Sequence, residues 1–301
     1  MPDDKRGVEV SVIIPVYNAE KDLPDLFISI ANQSFDQEKF ELIFVDNGSS
    51  DSSLELLKSF EAQWEGRSKI VLEHLIAGSY AARNKGLRVA EGRFVVFTDA
   101  DCLPRPNWLK NIVSFLSSHP PDTVGGGEVE LFAQNSTQPT AVEKFEIIFG
   151  FPQALNIERR GYSVTANLFS HREVFEKVGL FDARLRSKGD YEWCQRATLA
   201  GCRLLFVRNV QVQHSARSSL RELVTKTRRV TGGQTVLKGL NNTQPKIESM
   251  SVLKQIKMVI ENKRFSSAVD KIQILLVAAL VFTAKAIEKV RLGLGGSAER
   301  R

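Results

Sequence analysis

At 301 residues the chain exceeds one small domain, and 43% hydrophobic with 25% charged residues describes an ordinary folded protein with ample core. The net charge of +6 is uneven: residues 217–301 hold 17 Lys and Arg against 6 Asp and Glu, while the first 216 hold 24 against 29. A slightly acidic body with a basic tail excludes a typical nucleic-acid protein, whose basic surface lies on the folded module, and leaves anionic headgroups, acidic polymers or solvent as partners of the tail. Three cysteines (Cys102, Cys194, Cys202) without a C-x-x-C pair fit core thiols in a reducing compartment. Met1 to Glu9 is polar and a strand pattern follows at once, so no signal peptide is expected and the active portion should face the cytoplasm.

Val10 to Val16 reads as a buried strand, and Asp22 to Gln33 as a helix with Leu23, Leu26, Phe27 and Ile30 on one face. A second strand, Phe40 to Val45, runs into the turn Asp46-Asn47-Gly48-Ser49-Ser50-Asp51, followed by a helix through Leu54, Leu57 and Phe60. Lys69 to Glu73 is a third strand, Tyr80 to Val89 a helix, and Arg93 to Thr98 a fourth strand. Alternating helices and continuously apolar strands indicate a parallel sheet covered on both faces. Open α/β sheets place ligands at the carboxyl ends of their strands.

The residues at those ends have matching chemistry. Tyr17 can stack on a base and Asn18 can hydrogen-bond it, or the ring can merely pack. Asp46 can accept the N–H of a uracil-type base or cap the following helix. Arg83 suits phosphate or base oxygens, or a surface carboxylate. The fourth strand ends on Asp99-Ala100-Asp101, two carboxylates one residue apart that can hold a divalent cation together with an anionic ligand. Mg²⁺ or Mn²⁺ needs few protein carboxylates when substrate phosphates supply the other oxygens. Taken singly each group has a structural reading; their recurrence in sequential order at strand ends favours a nucleotide site.

Four segments in that order, Val12-Ile13-Ile14-Pro15-Val16-Tyr17-Asn18, Val45 to Asp51, Ala82-Arg83-Asn84-Lys85-Gly86 and Thr98 to Asp101, resemble the family 2 glycosyltransferases. So do Thr165 to Phe169, Phe175 to Asp182 and Gly189-Asp190-Tyr191-Glu192-Trp193-Cys194-Gln195-Arg196, the last matching a block written E-D-x-x-L-x-x-R. The resemblance spans about residues 8 to 216. It implies a GT-A fold, a three-layer α/β/α domain with a mostly parallel central sheet, and an inverting hexosyltransferase-like activity on a nucleotide-diphospho-sugar. Asp190 would be the general base for the acceptor hydroxyl. Asp101 would hold Mg²⁺ or Mn²⁺ on the diphosphate, Asp99 would bind ribose or support the metal, and His214 would contribute to the metal or diphosphate. Pro15, Tyr17, Asn18, Asp46 and Arg83 would hold the nucleotide, while Asn167, Glu192 and Trp193 would lie on the acceptor side. Two departures stand out: Gly189 replaces the usual Glu before the Asp, and Trp193 replaces the Leu.

Other readings fit less well. A haloacid-dehalogenase phosphatase follows its second Asp with Gly-Thr or a similar pair, where Cys102-Leu103 stands. A dinucleotide oxidoreductase needs G-x-G-x-x-G after the first strand, and a nucleotidyltransferase a Gly-rich basic loop there. A non-catalytic nucleotide-sugar-binding scaffold of a polysaccharide assembly complex remains as the alternative, although a scaffold needs no base.

Gly125 to Glu130 should begin a strand near the donor sugar, and Phe145 to Phe151 is apolar enough for an acceptor groove, a membrane approach or core packing. The tail, residues 217–301, is set apart from the catalytic domain, residues 1–216. Val252, Leu253, Ile256, Val259 and Ile260 recur at helical spacing beside Lys254, Lys257, Lys263 and Arg264, the pattern of a basic interfacial helix. The apolar run Ile274 to Ala284 is roughly half of the about 20 residues that span a bilayer. An interfacial or re-entrant helix, an oligomer contact, or helices packing back on the protein all remain open. The expected setting is the cytoplasmic face of the membrane, peripheral or monotopic, with a glycan, glycolipid or lipid-linked acceptor in cell-surface polysaccharide synthesis. The lack of a bundle of long apolar spans argues against processive synthesis.

Overall fold

The structure, a computed structural model, describes residues 7–241 and 250–297; the first six residues and parts of the tail, 242–249 and 298–301, lie outside the described residues. The chain forms two compact units. The first comprises 1–129, 153–184 and 189–213, the second 130–152, 185–188 and 214–301.

In the first unit, β1 (Val10–Val16), α1 (Leu23–Ala31), β2 (Phe40–Asp46), α2 (Ser53–Gln63), β3 (Arg67–Leu72), α3 (Ser79–Val89) and β4 (Phe94–Phe97) alternate as the periodicity indicates. Nearly every residue of β1, β2 and β4 is buried, as strands covered on both faces require. β1 lies between β2 and β4, parallel to both, and β3 extends β2 in parallel. Val16 pairs with Asp46, and Ile13 with Phe97, so the carboxyl ends of these strands share one edge. At the opposite edge a buried carboxylate, Glu41, ties the strand starts together. It accepts from the Ser11 hydroxyl (2.6 Å) and the Glu91 N–H (2.6 Å), and Lys69 stands 2.9 Å away.

After β4 come β5 (Cys102–Pro104), α4 (Trp108–Ser117) and β6 (Thr123–Phe132), the last running on into the second unit. The helix α5 (Ala141–Phe149) belongs to the second unit; α6 (Gln153–Arg160), β7 (Leu168–His171), α7 (Arg172–Val178) and α8 (Gly189–Leu199) belong to the first. β8 (Arg203–Ser215) crosses from the first unit into the second after Gln213. The sheet order is β3-β2-β1-β4-β7-β6-β8-β5, with β7 antiparallel to both β4 and β6. Phe97 pairs with Leu168, so β7 begins at the edge where β4 ends. The glycines of β6 answer to packing: a side chain at Gly125 would collide with the Phe169 ring, and one at Gly127 with Asn167.

The second unit continues with α9 (Leu220–Asn241), α10 (Val252–Glu261) and α11 (Ala268–Gly293). Its core joins Val142 and Phe145 of α5 to Leu223, Val259, Phe265, Ile274, Val277 and Val281. Phe145, Ile147, Ile148 and Phe149 therefore pack into or against this helical core, which makes core packing the outcome for the Phe145 segment. α5 starts at a capping box, Thr140 with Glu143, which satisfies two otherwise orphaned N–H groups. On α11, Val269, Ile272, Leu276, Leu280, Ile287 and Val290 stay exposed at spacings of three, four and seven, on another side from the buried Ile274, Val277 and Val281. No described helix is long and apolar enough to cross a membrane.

Candidate active site

The helix α3 organises the candidate site. Although its sequence is far from apolar, Tyr80, Ala81, Ala82, Arg83, Asn84 and Gly86 are all buried, so its polar side chains must find partners. Gly86 is required because β1 passes directly beneath it: a Cβ there would strike the side chain of Ile13. The helix start is fixed from β2. The Gly78 N–H donates to Asn47 Oδ1 (2.5 Å), while the Asn47 amide donates to the Glu73 (2.6 Å) and Ile76 (2.9 Å) carbonyls. Asn84 makes a reciprocal pair with Phe181, donating to its carbonyl (2.8 Å) and accepting from its N–H (3.0 Å). Arg83 pairs with Asp99, and its Nε has no hydrogen-bond partner despite burial.

That ion pair bears on the expectations for the triplet. The Arg83 guanidinium engages Asp99, the carboxylate alternative raised for it. Asp101, two residues on, offers the other carboxylate of the triplet. The next residue, Cys102, is fully buried; burial, reinforced by the charges of Asp101 and Asp99, pushes its thiol well above the ordinary range. A protonated thiol is a poor ligand, and the hard oxygen donor of Asp101 suits Mg²⁺ or Mn²⁺ better. The residues thus fit a divalent cation whose coordination is completed mainly by phosphate oxygens.

The loops after β1 and β2 lock together. Asn18, in the left-handed region at φ 48°, accepts the Ser50 N–H through Oδ1 (2.8 Å), and its own N–H donates to Ser49 Oγ (3.0 Å). Its side chain therefore holds the loop after β2. Asp46 is buried; its Oδ2 accepts from Gly48 N–H (3.1 Å) and lies 3.1 Å from His74 Nε2. Asp46 thus holds the turn after β2 and does not cap α2, whose N-cap is Ser52, and His74 joins it at the end of the third strand, a neighbour that sequence spacing gave no reason to single out. Tyr17 and Pro15 are half-buried at the same edge.

Asp190 sits in the first turn of α8, half-buried, its Oδ1 accepting the Tyr191 N–H (2.8 Å). Tyr162 and Tyr191 pack edge to face at 5.4 Å. Burial, together with the nearby charge of Asp190, raises the Tyr162 hydroxyl above the ordinary tyrosine range. Burial likewise pushes the Cys194 thiol up to about 12. Tyr162 is a neighbour of Asp190 that no sequence pattern identified.

The three residues expected on the acceptor side all have partners within the protein. Asn167 is fully buried; it accepts from Trp108 Nε1 (2.9 Å) and donates to the Glu128 (2.9 Å) and Val210 (3.1 Å) carbonyls, tying β7 to β6 and β8. Trp193 is fully buried, stacked on Phe175 at 4.4 Å with its N–H donated to Gly179 (2.9 Å). Glu192 accepts from Arg196 at 2.6 and 2.9 Å, and that guanidinium also donates to the Val178 (2.6 Å) and Leu180 (2.8 Å) carbonyls. Trp193 and Glu192 thus brace α8, the helix that carries Asp190, while Asn167 braces the sheet.

His214 lies in the second unit, buried, its ring 5.2 Å from that of Phe151. Nδ1 stands 2.7 Å from the Ser215 carbonyl, an acceptor only, so the proton is on Nδ1 and Nε2 carries the lone pair that can ligate.

Residues 11–179 match the family model described as glycosyl transferase family 2. The chain belongs to that family. It is 38% identical over 225 residues to the glycosyltransferase AglE of Haloferax volcanii, which covers 75% of this chain and 72% of the relative. It is 33% identical over 117 residues to the poly(ribitol-phosphate) beta-N-acetylglucosaminyltransferase TarS of Staphylococcus aureus, covering 39% of this chain and only 20% of that much longer protein. Among solved structures, S. aureus TarS 1-349 in complex with UDP-GlcNAc aligns at a TM-score of 0.57 and 19% identity over 96% of this chain and 92% of that one. The mannosyltransferase PcManGT from Pyrobaculum calidifontis, in complex with GDP-Man and Mn²⁺, aligns at 0.59 and 18% over 98% and 81%. These likenesses give this family 2 glycosyltransferase the GT-A fold, an enzyme scaffold with a helical C-terminal region.

Proposed function

We propose that this family 2 enzyme transfers a sugar, with inversion, from a nucleotide-diphospho-sugar to a hydroxyl of a glycan, glycolipid or lipid-linked acceptor in cell-surface polysaccharide synthesis. The observation that carries the reading is α3. Through Arg83 it holds Asp99, and through Asn84 it holds Phe181 in the segment leading towards Asp190. One buried helix thus anchors Asp99 and part of the segment that precedes Asp190.

Asp190 takes the proton of the acceptor hydroxyl as that oxygen attacks the anomeric carbon. Tyr17, Pro15, Asn18 and Asp46 line the loops offered to the nucleotide. Asp101 would hold a divalent cation through its hard oxygen donor. A bound Mg²⁺ or Mn²⁺ would offset negative charge developing on the leaving diphosphate. The relatives' names support the substrate class, since TarS and PcManGT are described with UDP-GlcNAc and with GDP-Man and Mn²⁺.

The tail is proposed to hold the enzyme peripherally at a membrane surface, on its cytoplasmic face. The exposed apolar residues of α11, and of α10 (Val252, Leu253 and Ile260), together with Lys254, Lys257, Lys263 and Arg264, support this assignment. The test of the activity is a panel of UDP-, GDP- and dTDP-sugars with Mn²⁺, scored by nucleotide release. Turnover with one donor, abolished in Asp190→Ala, is expected; no turnover with any donor would favour the scaffold alternative.

A further inference from the structure

The carboxylate expected to meet the nucleobase is closed to one. The Asp46 side chain is 2% exposed; it accepts from the Gly48 (3.1 Å) and Ser49 (3.3 Å) N–H groups, and His74 Nε2 lies 3.1 Å from its Oδ2. A carboxylate only accepts, so the His74 proton is on Nε2 and Nδ1 carries the lone pair. The His74 side chain itself is 50% exposed. Its backbone is held on both sides. The Glu73 N–H donates to the Asp46 carbonyl (2.9 Å), and Glu73 Oε1 accepts from the Leu75 (3.1 Å) and Ile76 (2.9 Å) N–H groups. Leu75 and Ile76 are exposed but apolar, and Glu73 is buried, so His74 supplies the exposed side-chain hydrogen bonding of this turn. Val16 pairs with Asp46, and Asp46 with Leu72, so the turn leaves the same sheet edge as the loop that begins at Tyr17.

We propose that His74 is a specificity-determining residue that reads the nucleobase of the donor. Its Nδ1 accepts the ring N–H of a base that carries one beside a carbonyl: N3–H of uracil or thymine, or N1–H of guanine. Cytosine and adenine present a lone pair at the corresponding ring nitrogen, which would face the lone pair of Nδ1. The assignment rests on the nucleotide-diphospho-sugar reading of the site and deepens it, by moving base recognition from Asp46 to the ring that Asp46 orients. A carboxylate behind an imidazole fixes its tautomer and direction, so the acceptor is set before the nucleotide arrives. Selection then has an attractive and a repulsive part, because the wrong base opposes two lone pairs and leaves Nδ1 without a donor.

The test is calorimetric titration of the full chain, in Mn²⁺ at pH 8 where an ordinary imidazole is neutral, with UDP, dTDP, GDP, CDP and ADP. In wild type the tightest of UDP, dTDP and GDP should bind at least tenfold better than CDP and ADP. His74→Ala should bring that ratio below threefold. His74→Gln separates reading the base from supporting Asp46: its amide nitrogen takes the place of Nε2 and keeps the bond to Asp46, but no acceptor stands where Nδ1 was. Discrimination should fall in His74→Gln as far as in His74→Ala, with the melting temperature unchanged. In both variants the loss should fall on the favoured nucleotide, while CDP affinity stays within threefold. A wild-type preference for CDP or ADP, discrimination retained in either variant, or a parallel loss for every nucleotide would each overturn the proposal. Any of these, with turnover of a nucleotide-sugar intact, would leave the transfer reading standing and place base recognition elsewhere. A wild-type chain that binds no nucleoside diphosphate would instead defeat the nucleotide-sugar reading, and the proposal with it.

Discussion

Removing the charge of Glu146 isolates one electrostatic contribution in the second unit. Glu146, about 1% exposed, accepts from the Arg217 N–H (3.0 Å), the Arg217 guanidinium (3.1 Å) and Lys226 (2.6 Å). Burial alone would raise its pKa, but Lys226 and Arg217 overcome burial and bring it from 4.5 to about 2. A depressed carboxylate pKa stabilises the fold above 4.5, and that stability disappears as pH falls from 4.5 towards 2; at 1.36 kcal/mol per unit it amounts to about 3 kcal/mol. Lys226 experiences the opposite pull: burial and Arg217 lower its pKa to about 8, so at neutral pH Glu146 is what keeps the ammonium charged. Glu146→Gln conserves shape and leaves that ammonium uncompensated, and we expect a loss of about 3 kcal/mol at pH 7. The three tryptophans, Trp64, Trp108 and Trp193, all lie in the first unit, so their fluorescence follows that unit while far-UV dichroism reports the helices of both. Urea unfolding by both probes should show a dichroism transition displaced to lower urea at pH 7, with a gap to wild type that closes between pH 4.5 and 2. A change below about 1 kcal/mol at pH 7, or a gap independent of pH, would refute the reasoning.

Asp190→Asn should lower turnover by about 10²- to 10⁴-fold with nucleotide affinity within twofold, checked by nucleotide release and calorimetry. Asp101→Asn should weaken Mn²⁺ binding in the presence of nucleoside diphosphate by at least tenfold, measured by spin-resonance titration, whereas Cys102→Ser should leave it unchanged. Asn167→Ala orphans the Trp108 N–H and two carbonyls and should cost about 2–4 kcal/mol in tryptophan-monitored unfolding. Leu276→Glu with Leu280→Glu, on the exposed side of α11, should abolish sedimentation with anionic vesicles while leaving turnover of a soluble acceptor unchanged.

The strand–helix order of the first hundred residues was legible because those strands are buried on both faces, so their apolar runs are unbroken and their turns carry the polar residues. Phe40–Asp46 is an example, fully buried from end to end. Beyond Thr123 the signal weakens for a physical reason. β6 is glycine-rich because a neighbouring ring and amide press against it, and three adjacent glycines announce close approach without saying by what. The helical tail was legible as amphipathic, but not that Phe145 and its neighbours share its core, since that core is assembled from segments about 130 residues apart.

Site chemistry divides along the same line. A carboxylate such as Asp101 is recognisable from its place at a strand end, because the place and the residue type together define what it can bind. For Arg83, Asn167 and Glu192 the sequence shows a polar side chain without its partner. Each turns out to satisfy a group of the protein itself: Asp99, the Trp108 N–H and Arg196. Burial enforces this, since a hidden polar group must be paired before it can serve anything else. Tyr80 shows the converse. In the sequence it is one aromatic residue at the start of a helix; only the would-be collision with position 189 shows that it packs beside the start of α8. The absence of a side chain at Gly189, visible from the start as a departure, acquires its meaning from a ring 109 positions earlier in the chain.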